Sequence, residues 1–225
     1  LNQSTVTANT TTTSRKGGGF YIDSGATLNL NYSTVSGNIS GDDGGGIYSR
    51  GTLFLNGSVL KNNHTDLWPA GRGGGLFSNG DATLNNSTVT GNTADQGGGI
   101  ASHSMLTITD SVITSNTARV HGGGILIRDG SLNMTNTLVI NNAQTRYAVG
   151  CSSCLGGGIN KEGGTITLTD STITGNSAGL EGGGLATRSG NSAGITLINT
   201  TITGNSASFD PDCSYIAEQE ENGCL

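Results

Sequence analysis

The chain has 225 residues, of which 39 are glycine and two are proline, and its formal net charge at pH 7 is -6. Glycine shows no period of three, which excludes collagen, and the negative charge argues against nucleic acid or an anionic membrane as a partner, since both attract basic surfaces. No stretch approaches the ~18 apolar residues of a membrane-spanning helix, so we expect no membrane-spanning segment.

The chain repeats a phrase of three glycines followed by a large apolar residue. The copies begin at Gly17, Gly44, Gly73, Gly97, Gly122, Gly156 and Gly182. A fixed phrase at such intervals is typical of a repeat architecture in which each repeat forms one coil. The segments between one coil and the next glycines vary in length, and we expect them to project as loops from one edge.

Each repeat predicts three short strands: one after the glycines, one at a Leu-x-Leu pattern such as Leu28 and Leu30, and one at a Ser-x-Val pattern such as Ser33 to Val35. Alternation of this kind is typical of strands. A single coil cannot bury its apolar row, but stacked coils can. The sequence therefore predicts an all-β fold, a right-handed single-stranded parallel β-helix (solenoid) of about eight coils over residues 1–207, its hand set by the crossover rule.

An asparagine closes every coil, three residues after a β-branched residue or leucine. These ladder asparagines are Asn9, Asn38, Asn63, Asn92, Asn116, Asn142, Asn176 and Asn205. Stacked asparagines can bond their amides to the copies above and below. We therefore predict a structural ladder here and not a ligand site.

Two columns are expected to point outward from the strand after the glycines. One holds aromatic residues, and the other brings Asp23 near Arg50 and places Arg128 and Arg188 either side of Glu162. One interpretation is a solvated face with weak ion pairs; the other is a shallow groove of aromatics beside cations that takes sugar rings or a partner protein. The binding candidates, including residues in the long variable segments, are Tyr21, Tyr48, Phe77, Arg50, Trp68, Arg72 and Tyr147.

Four cysteines are present, Cys151, Cys154, Cys213 and Cys224. An even count in a Thr/Asn/Gly-rich, Lys-poor chain fits an oxidising, extracellular setting. We expect disulfides, with Cys151–Cys154 and Cys213–Cys224 favoured among the three connectivities, and keep free thiols and a metal site as alternatives.

The residues that could act as acids or bases are scattered along the chain. Asp110 and Asp170 occupy positions that hold asparagine in other coils, so we expect them in turns. Asp42 and Asp43 lie in a short variable segment, where we expect them to be solvated. The three histidines lie in three different coils, and no acid joins His103 and His121 into a triad. We therefore predict no catalytic residue, no metal site and no cofactor.

The phrases Gly-Gly-Gly-Ile and Val-x-Gly-Asn, as in Gly97 to Ile100 and Val35 to Asn38, resemble the GGA[ILV] and FxxN repeats of the polymorphic outer-membrane proteins of bacterial autotransporter type. The resemblance covers about residues 1–207, with a third glycine in place of alanine and Val, Ile or Leu in place of Phe. The sequence of residues 199–207 also resembles repeats of large secreted bacterial β-helix proteins. This resemblance implies surface display, adhesion or a passenger-domain role.

The stretch 208–225 breaks the pattern and is expected to form an acidic, disulfide-closed cap, since solenoid ends need a polar cover. The chain begins at Leu1 in mid-repeat, so we expect a processed or truncated piece of something longer with an uncapped first coil. The leading hypothesis is a non-enzymatic extracellular or cell-surface scaffold or adhesin, with a glycan or a host or cell-surface receptor as partner. The alternatives are a fibre subunit that stacks end to end on other copies or neighbouring surface proteins, and a polysaccharide-binding or polysaccharide-cleaving protein.

Overall fold

The structure, a computed structural model, describes residues 1–12, 14–66, 70–145, 155–188 and 193–214. Within these ranges it consists of short strands and turns, with no helix. Trp68, Tyr147, Cys151, Cys154 and Cys224 fall outside the described residues, so the predictions made for them stay predictions.

The strands are named here in chain order. The first ten are β1 Thr5–Thr7, β2 Phe20–Ile22, β3 Thr27–Asn31, β4 Thr34–Ser36, β5 Ile39–Ser40, β6 Ile47–Ser49, β7 Thr52–Asn56, β8 Val59–Lys61, β9 His64–Thr65 and β10 Leu76–Ser78. The next nine are β11 Ala82–Asn85, β12 Thr88–Thr90, β13 Thr93–Gln96, β14 Ile100–Ser102, β15 Leu106–Thr109, β16 Val112–Thr114, β17 Thr117–His121, β18 Ile125–Ile127 and β19 Ser131–Thr135. The last nine are β20 Leu138–Ile140, β21 Ala143–Gln144, β22 Ile159–Lys161, β23 Thr165–Thr169, β24 Thr172–Thr174, β25 Leu185–Thr187, β26 Ile195–Ile198, β27 Thr201–Thr203 and β28 Cys213–Ser214.

The strands form four parallel sheets, in which each strand pairs with its counterparts in the neighbouring coils. The glycine sheet contains β2, β6, β10, β14, β18, β22, β25 and β28, and the leucine sheet contains β3, β7, β11, β15, β19, β23 and β26. The asparagine sheet contains β1, β4, β8, β12, β16, β20, β24 and β27, and the short sheet contains β5, β9, β13, β17 and β21. Seven strands in the leucine sheet give about seven complete turns, and the arrangement matches the predicted right-handed parallel β-helix.

The short sheet was not predicted. Three strands per coil were expected, with variable loops after each asparagine, but most of those loops begin as a fourth strand. The cause is a backbone hydrogen bond: the carbonyl of Asn38 accepts from the N–H of His64, and that of Asn63 accepts from the N–H of Thr93, each at 2.9 Å. Pairing between coils therefore continues past the asparagines.

The core is one continuous column of apolar side chains inside the coil. Alternate residues of the glycine, leucine and asparagine sheets point inward, and Ile100, Leu106, Ile108 and Ile113 of one coil are all fully buried. Each lies in register with its counterpart in the next coil, as Ile100 does with Ile125. Burial of such rows supplies most of the stabilisation that a single coil lacks.

The glycines are required for two different reasons, which Gly97 and Gly98 illustrate. Gly97 has a φ of +61°, a left-handed conformation that L side chains rarely adopt. Gly98 has no such angle, but a Cβ there would overlap the backbone of Thr117 and Gly123 in the next coil. The repeated phrase therefore marks a corner where backbones of adjacent coils touch.

The asparagine ladder is present. The Nδ2 of each ladder asparagine donates to Oδ1 of the next, and Asn92 shows the full pattern. Its Nδ2 donates to Asn116 Oδ1 at 2.9 Å and to the Leu60 carbonyl at 3.0 Å. Its Oδ1 accepts from the backbone N–H and Nδ2 of Asn63 at 2.9 and 3.0 Å. The hydrogen bonds expected between stacked asparagines are therefore present.

The C-terminal end of the ladder is closed by an acid. The backbone N–H and Nδ2 of Asn205 donate to Oδ1 of Asp212 at 3.0 and 2.8 Å. Strand β28 then adds to the glycine sheet, with Cys213 in register with Leu185. The described part of the predicted cap thus continues the solenoid, while its boundary at 208 and its disulfide stay predictions.

Candidate functional site

Ion pairs and aromatic stacks gather on one side of the coil, which we name the glycine face. It comprises the outer surface of the glycine sheet, the turns that follow its strands, and the segments from each ladder asparagine to the next glycines. Within the described residues, the ion pairs of Lys16, Arg50, Arg72, Arg119 and Arg128 lie on this face. The outward positions of the leucine and asparagine sheets carry mainly threonine, serine and asparagine, with some apolar residues such as Phe54, Ile140 and Ile198, and Lys61 is the one charged residue in their strands.

The predicted aromatic groove is largely closed. Tyr21 is 51% exposed, but Tyr48 is 4% and Phe77 only 1% exposed, and these two form a second apolar cluster with Ala101 and Leu126. The prediction that the column points into open solvent was therefore wrong for Tyr48 and Phe77. The physical reason is that the segments between asparagine and glycines fold over this column, as the short sheet shows, instead of projecting away.

The aromatic rings stack along the rod. Ring centroids are 5.2 Å apart for Tyr21 and Tyr48, and 5.1 Å apart for Tyr48 and Phe77. Lys16 Nζ lies 4.7 Å from the centroid of the Tyr48 ring, and the Arg72 guanidinium lies 4.7 Å from that of Phe77. These cation–π contacts cover the two inner rings, so Tyr21 is the ring available for contact with a partner.

The two cations are held by Asp43, which is 1% exposed. Arg72 donates to its carboxylate through Nε at 3.1 Å and through Nη2 at 2.9 Å, and Lys16 lies 3.3 Å away. Burial acts to lower the pKa of Lys16, but the carboxylates of Asp43 and Asp42 leave that pKa raised. Asp43 was thus wrongly expected to be solvated: it is the buried anchor of the cluster.

His103 continues this cluster. Arg72 Nη1 lies 3.2 Å from its Nε2, and because the guanidinium can only donate, Nε2 must accept. The proton then sits on Nδ1, which faces Asp129 at 3.4 Å. Burial and the nearby Arg72 and Arg128 lower the pKa of His103, which keeps the ring neutral.

A second feature of the glycine face is a cavity of about 210 Å³. It lies where the outward column changes from Leu126 to the small, polar Asn160. The residues that line it are Gln96, His121, Arg128, Leu155, Asn160, Glu162 and Arg188. Asn160 takes up less room here than the large apolar Leu126 does in the preceding coil, which leaves space on the outer side of the sheet.

Electrostatics in the cavity centre on Glu162. Arg128 Nε lies 3.1 Å from Glu162 Oε2, the pair that stacking of the coils predicted, and Arg188 lines the same cavity. His121 Nε2 is 3.8 Å from Glu162 Oε1, and its side chain is 12% exposed. Burial, with Arg128 and Arg188, lowers the pKa of His121 to about 4, so the ring is neutral at pH 7 and this contact is no ion pair.

Two buried polar groups in the cavity have no hydrogen-bond partner within the described residues. They are Oδ1 of Asn160, a residue that is 1% exposed, and Nδ1 of His121. Buried polar atoms of this kind cost free energy unless a ligand or water satisfies them. The cavity is therefore a candidate binding site.

Sequence reasoning found part of this site. It placed Arg128, Glu162 and Arg188 in one column, but it set His121 apart because that residue lies in a covering segment. The ion pair between Arg50 and Asp23 is present at 3.3 Å, with both side chains exposed. Asp110 and Asp170 adopt positive φ angles of 51° and 49° in turns, as predicted.

Among the described residues, no group of three or more His, Cys, Asp or Glu side chains is placed to hold a metal ion. The same part of the chain contains no helix of the length and hydropathy needed to span a membrane.

Comparison with known proteins gives a family. A family model described as "Right handed beta helix region" matches residues 1–160, more than half of the chain. Comparisons with curated proteins and with solved structures found no match. The chain therefore belongs to the right-handed β-helix family.

Proposed function

We propose that this right-handed β-helix protein is a non-enzymatic scaffold and adhesin of the extracellular space or cell surface, which contacts its partner through the glycine face. The compartment is supported by a Thr/Asn/Gly-rich, Lys-poor composition and an even cysteine count. The repeats that resemble polymorphic outer-membrane proteins support surface display.

The observation that carries the proposal is that the ion pairs, the stacked aromatic rings and the cavity lie on one face of the solenoid. Strands of the leucine and asparagine sheets carry mainly small polar residues on their outer side, with some apolar side chains such as Phe54 and Ile198, and hold one charge, Lys61. The glycine face holds the ion pairs, the stacked rings and the cavity. Recognition is concentrated in a few anchoring aromatic and arginine side chains, and among the described residues the glycine face is where stacked rings and arginines lie together.

The interior supports a rigid scaffold. Buried hydrogen bonds run through the ladder from Asn9 to Asp212, beside one continuous apolar core. Both features cross every coil boundary, so bending the rod would break several hydrogen bonds at once. A rigid rod holds its binding face at a fixed distance from whatever anchors it.

The cavity chemistry favours binding over glycoside hydrolysis. Glycoside hydrolysis of the usual kind needs two carboxyl groups across the scissile bond. The described lining of the cavity supplies one, that of Glu162, and Arg128 holds it. We expect no loss of chain length when uronate-containing or neutral polysaccharides are incubated with the protein; shortened chains would favour the enzyme alternative.

Solid-phase binding to whole cells and to immobilised polysaccharides tests the proposal. A double variant, Tyr21→Asn with Arg50→Gln, removes an exposed ring and an exposed cation from the glycine face. The matched control, Tyr32→Asn with Lys61→Gln, removes the same two kinds of group elsewhere, since Tyr32 is 73% exposed and Lys61 lies in the asparagine sheet. We expect binding to fall in the first variant alone. Equal binding by all three proteins would contradict the assignment of the face.

Assembly into a fibre is a second candidate, favoured by the strand edges at one end. Within the described residues, β1 pairs with β4 only and β2 with β6 only. The backbone groups on the outer edge of such a strand can pair with a further parallel strand, whether of the same chain or of a second copy. A second copy stacked there would extend the ladder from Asn9. Light scattering against concentration tests this: growth of the rods would support assembly, and a constant size would contradict it.

A further inference from the structure

We infer that the cavity beside Asn160 is a binding site for a single sugar acid unit, a ring that carries both hydroxyl groups and an anionic group. This inference deepens the proposed function, because it names a ligand class for one part of the glycine face.

The size of the cavity limits the ligand. Its volume of about 210 Å³ is below the roughly 300–1,000 Å³ of pockets that take drug-sized molecules. One sugar ring fits such a space, and the rest of a glycan chain would continue outside along the rod.

Hydroxyl groups are what the buried end of the cavity needs. Asn160 Oδ1 is an acceptor without a partner, so it requires a donor from the ligand. His121 Nδ1 is also buried without a partner, and a hydroxyl group can satisfy it as donor or as acceptor. Several hydroxyl groups on a small rigid ring are a property of sugars.

An anionic group is what the outer end of the cavity attracts. Arg128 is engaged by Glu162 at 3.1 Å, while Arg188 lines the cavity at an exposed position. A guanidinium binds carboxylates in a bidentate manner and with more specificity than a lysine does. Neutral sugars would leave this group unused.

The neutral state of His121 agrees with this assignment. Because burial and the two arginines lower the pKa of His121 to about 4, the ring is neutral at pH 7, and a neutral imidazole has one donor and one acceptor nitrogen. A ligand hydroxyl can meet either nitrogen, since it both donates and accepts.

Titration calorimetry of the full chain with galacturonate, N-acetylneuraminate and neutral galactose tests the inference. We expect one or both acids to bind at least roughly tenfold more tightly than galactose, the effect of a charge-assisted hydrogen bond. Arg188→Gln and Asn160→Ala should each weaken acid binding by about tenfold or more. Alanine is already present in the same column at Ala101 and Ala186, so Asn160→Ala is compatible with folding.

Lys61→Gln is the matched control, since Lys61 is an exposed cation of the asparagine sheet, outside the glycine face and outside the cavity lining. It should leave acid binding unchanged. The inference is overturned if neither acid binds, if galactose binds equally well, or if the Asn160→Ala and Arg188→Gln variants bind as the parent does. Cell binding that persists while no acid binds would overturn this inference alone; acid binding without cell binding would overturn the adhesin proposal alone.

Discussion

Replacement of Asn92 by alanine tests the ladder at its centre. Asn92 is fully buried and its side chain takes part in four hydrogen bonds, two as acceptor from Asn63 and two as donor to Leu60 and Asn116. Asn92→Ala leaves the two Asn63 donors buried without this acceptor, at about 1–3 kcal/mol each. We expect a loss of about 4 kcal/mol in the free energy of unfolding, a large share of the ~5–15 kcal/mol typical of a domain.

The control is Asn85→Ala in the same coil. Asn85 is half-buried on the outer surface of the leucine sheet, and its side chain makes one hydrogen bond, to Asn56 Oδ1 at 3.3 Å. We expect a loss of about 0.5–1 kcal/mol for this variant. Urea unfolding followed by circular dichroism measures both, and with a slope of at most about 3 kcal/mol/M, Asn92→Ala should lower the midpoint by at least about 1.3 M. Equal midpoints for the two variants would refute the structural role of the ladder.

Three further changes follow from the contacts on the glycine face. Gly98→Ala should lower the free energy of unfolding by about 3 kcal/mol, because its Cβ would overlap backbone atoms of the next coil. Gly25→Ala should lower it by only about 1 kcal/mol, because Gly25 has a φ of +80° but open space around it. Thermal unfolding compares the two variants, and equal losses would contradict the close approach of adjacent backbones at Gly98. Arg72→Met should lower the free energy of unfolding by about 3 kcal/mol, because it leaves the buried carboxylate of Asp43 without its main partner. Urea unfolding should show that the double variant with Asp43→Asn recovers part of that loss. For His121 the folded pKa of about 4 lies below the ordinary 6.5, so the unfolded chain binds a proton first as the pH falls. The free energy of unfolding should then drop by up to about 3 kcal/mol between pH 6.5 and pH 4. In His121→Gln this part of the pH dependence of stability should be absent, and the same pH dependence in the variant and the parent would contradict a buried, neutral ring.

Much of the fold could be predicted because its determinants are periodic. Leu-x-Leu alternation, the glycine corners and the ladder asparagines each recur once per coil, so register between coils follows from alignment of the repeats alone. The structure places Val89 opposite Ile113 and Leu60, as that alignment requires. The short sheet escaped prediction because it depends on backbone pairing in segments whose sequences do not repeat.

The candidate site was harder to predict for the same reason. Whether Phe77 is open or covered depends on how the segment carrying Arg72 folds back over it, and no periodic signal reports that path. His121 likewise reaches Glu162 from a covering segment one coil away. A usable signal did exist: the outward column changes from large apolar residues to Asn160, which indicates a gap in packing.

Binding of whole cells by four purified proteins side by side tests the central claim most directly. They are the unaltered chain, the Tyr21→Asn/Arg50→Gln variant, the Tyr32→Asn/Lys61→Gln variant and the Arg188→Gln variant. If the glycine face is the functional surface, the first and third proteins bind alike, and the Tyr21→Asn/Arg50→Gln variant binds more weakly. If the Tyr32→Asn/Lys61→Gln variant loses binding while the Tyr21→Asn/Arg50→Gln variant retains it, the functional surface lies on another side of the rod.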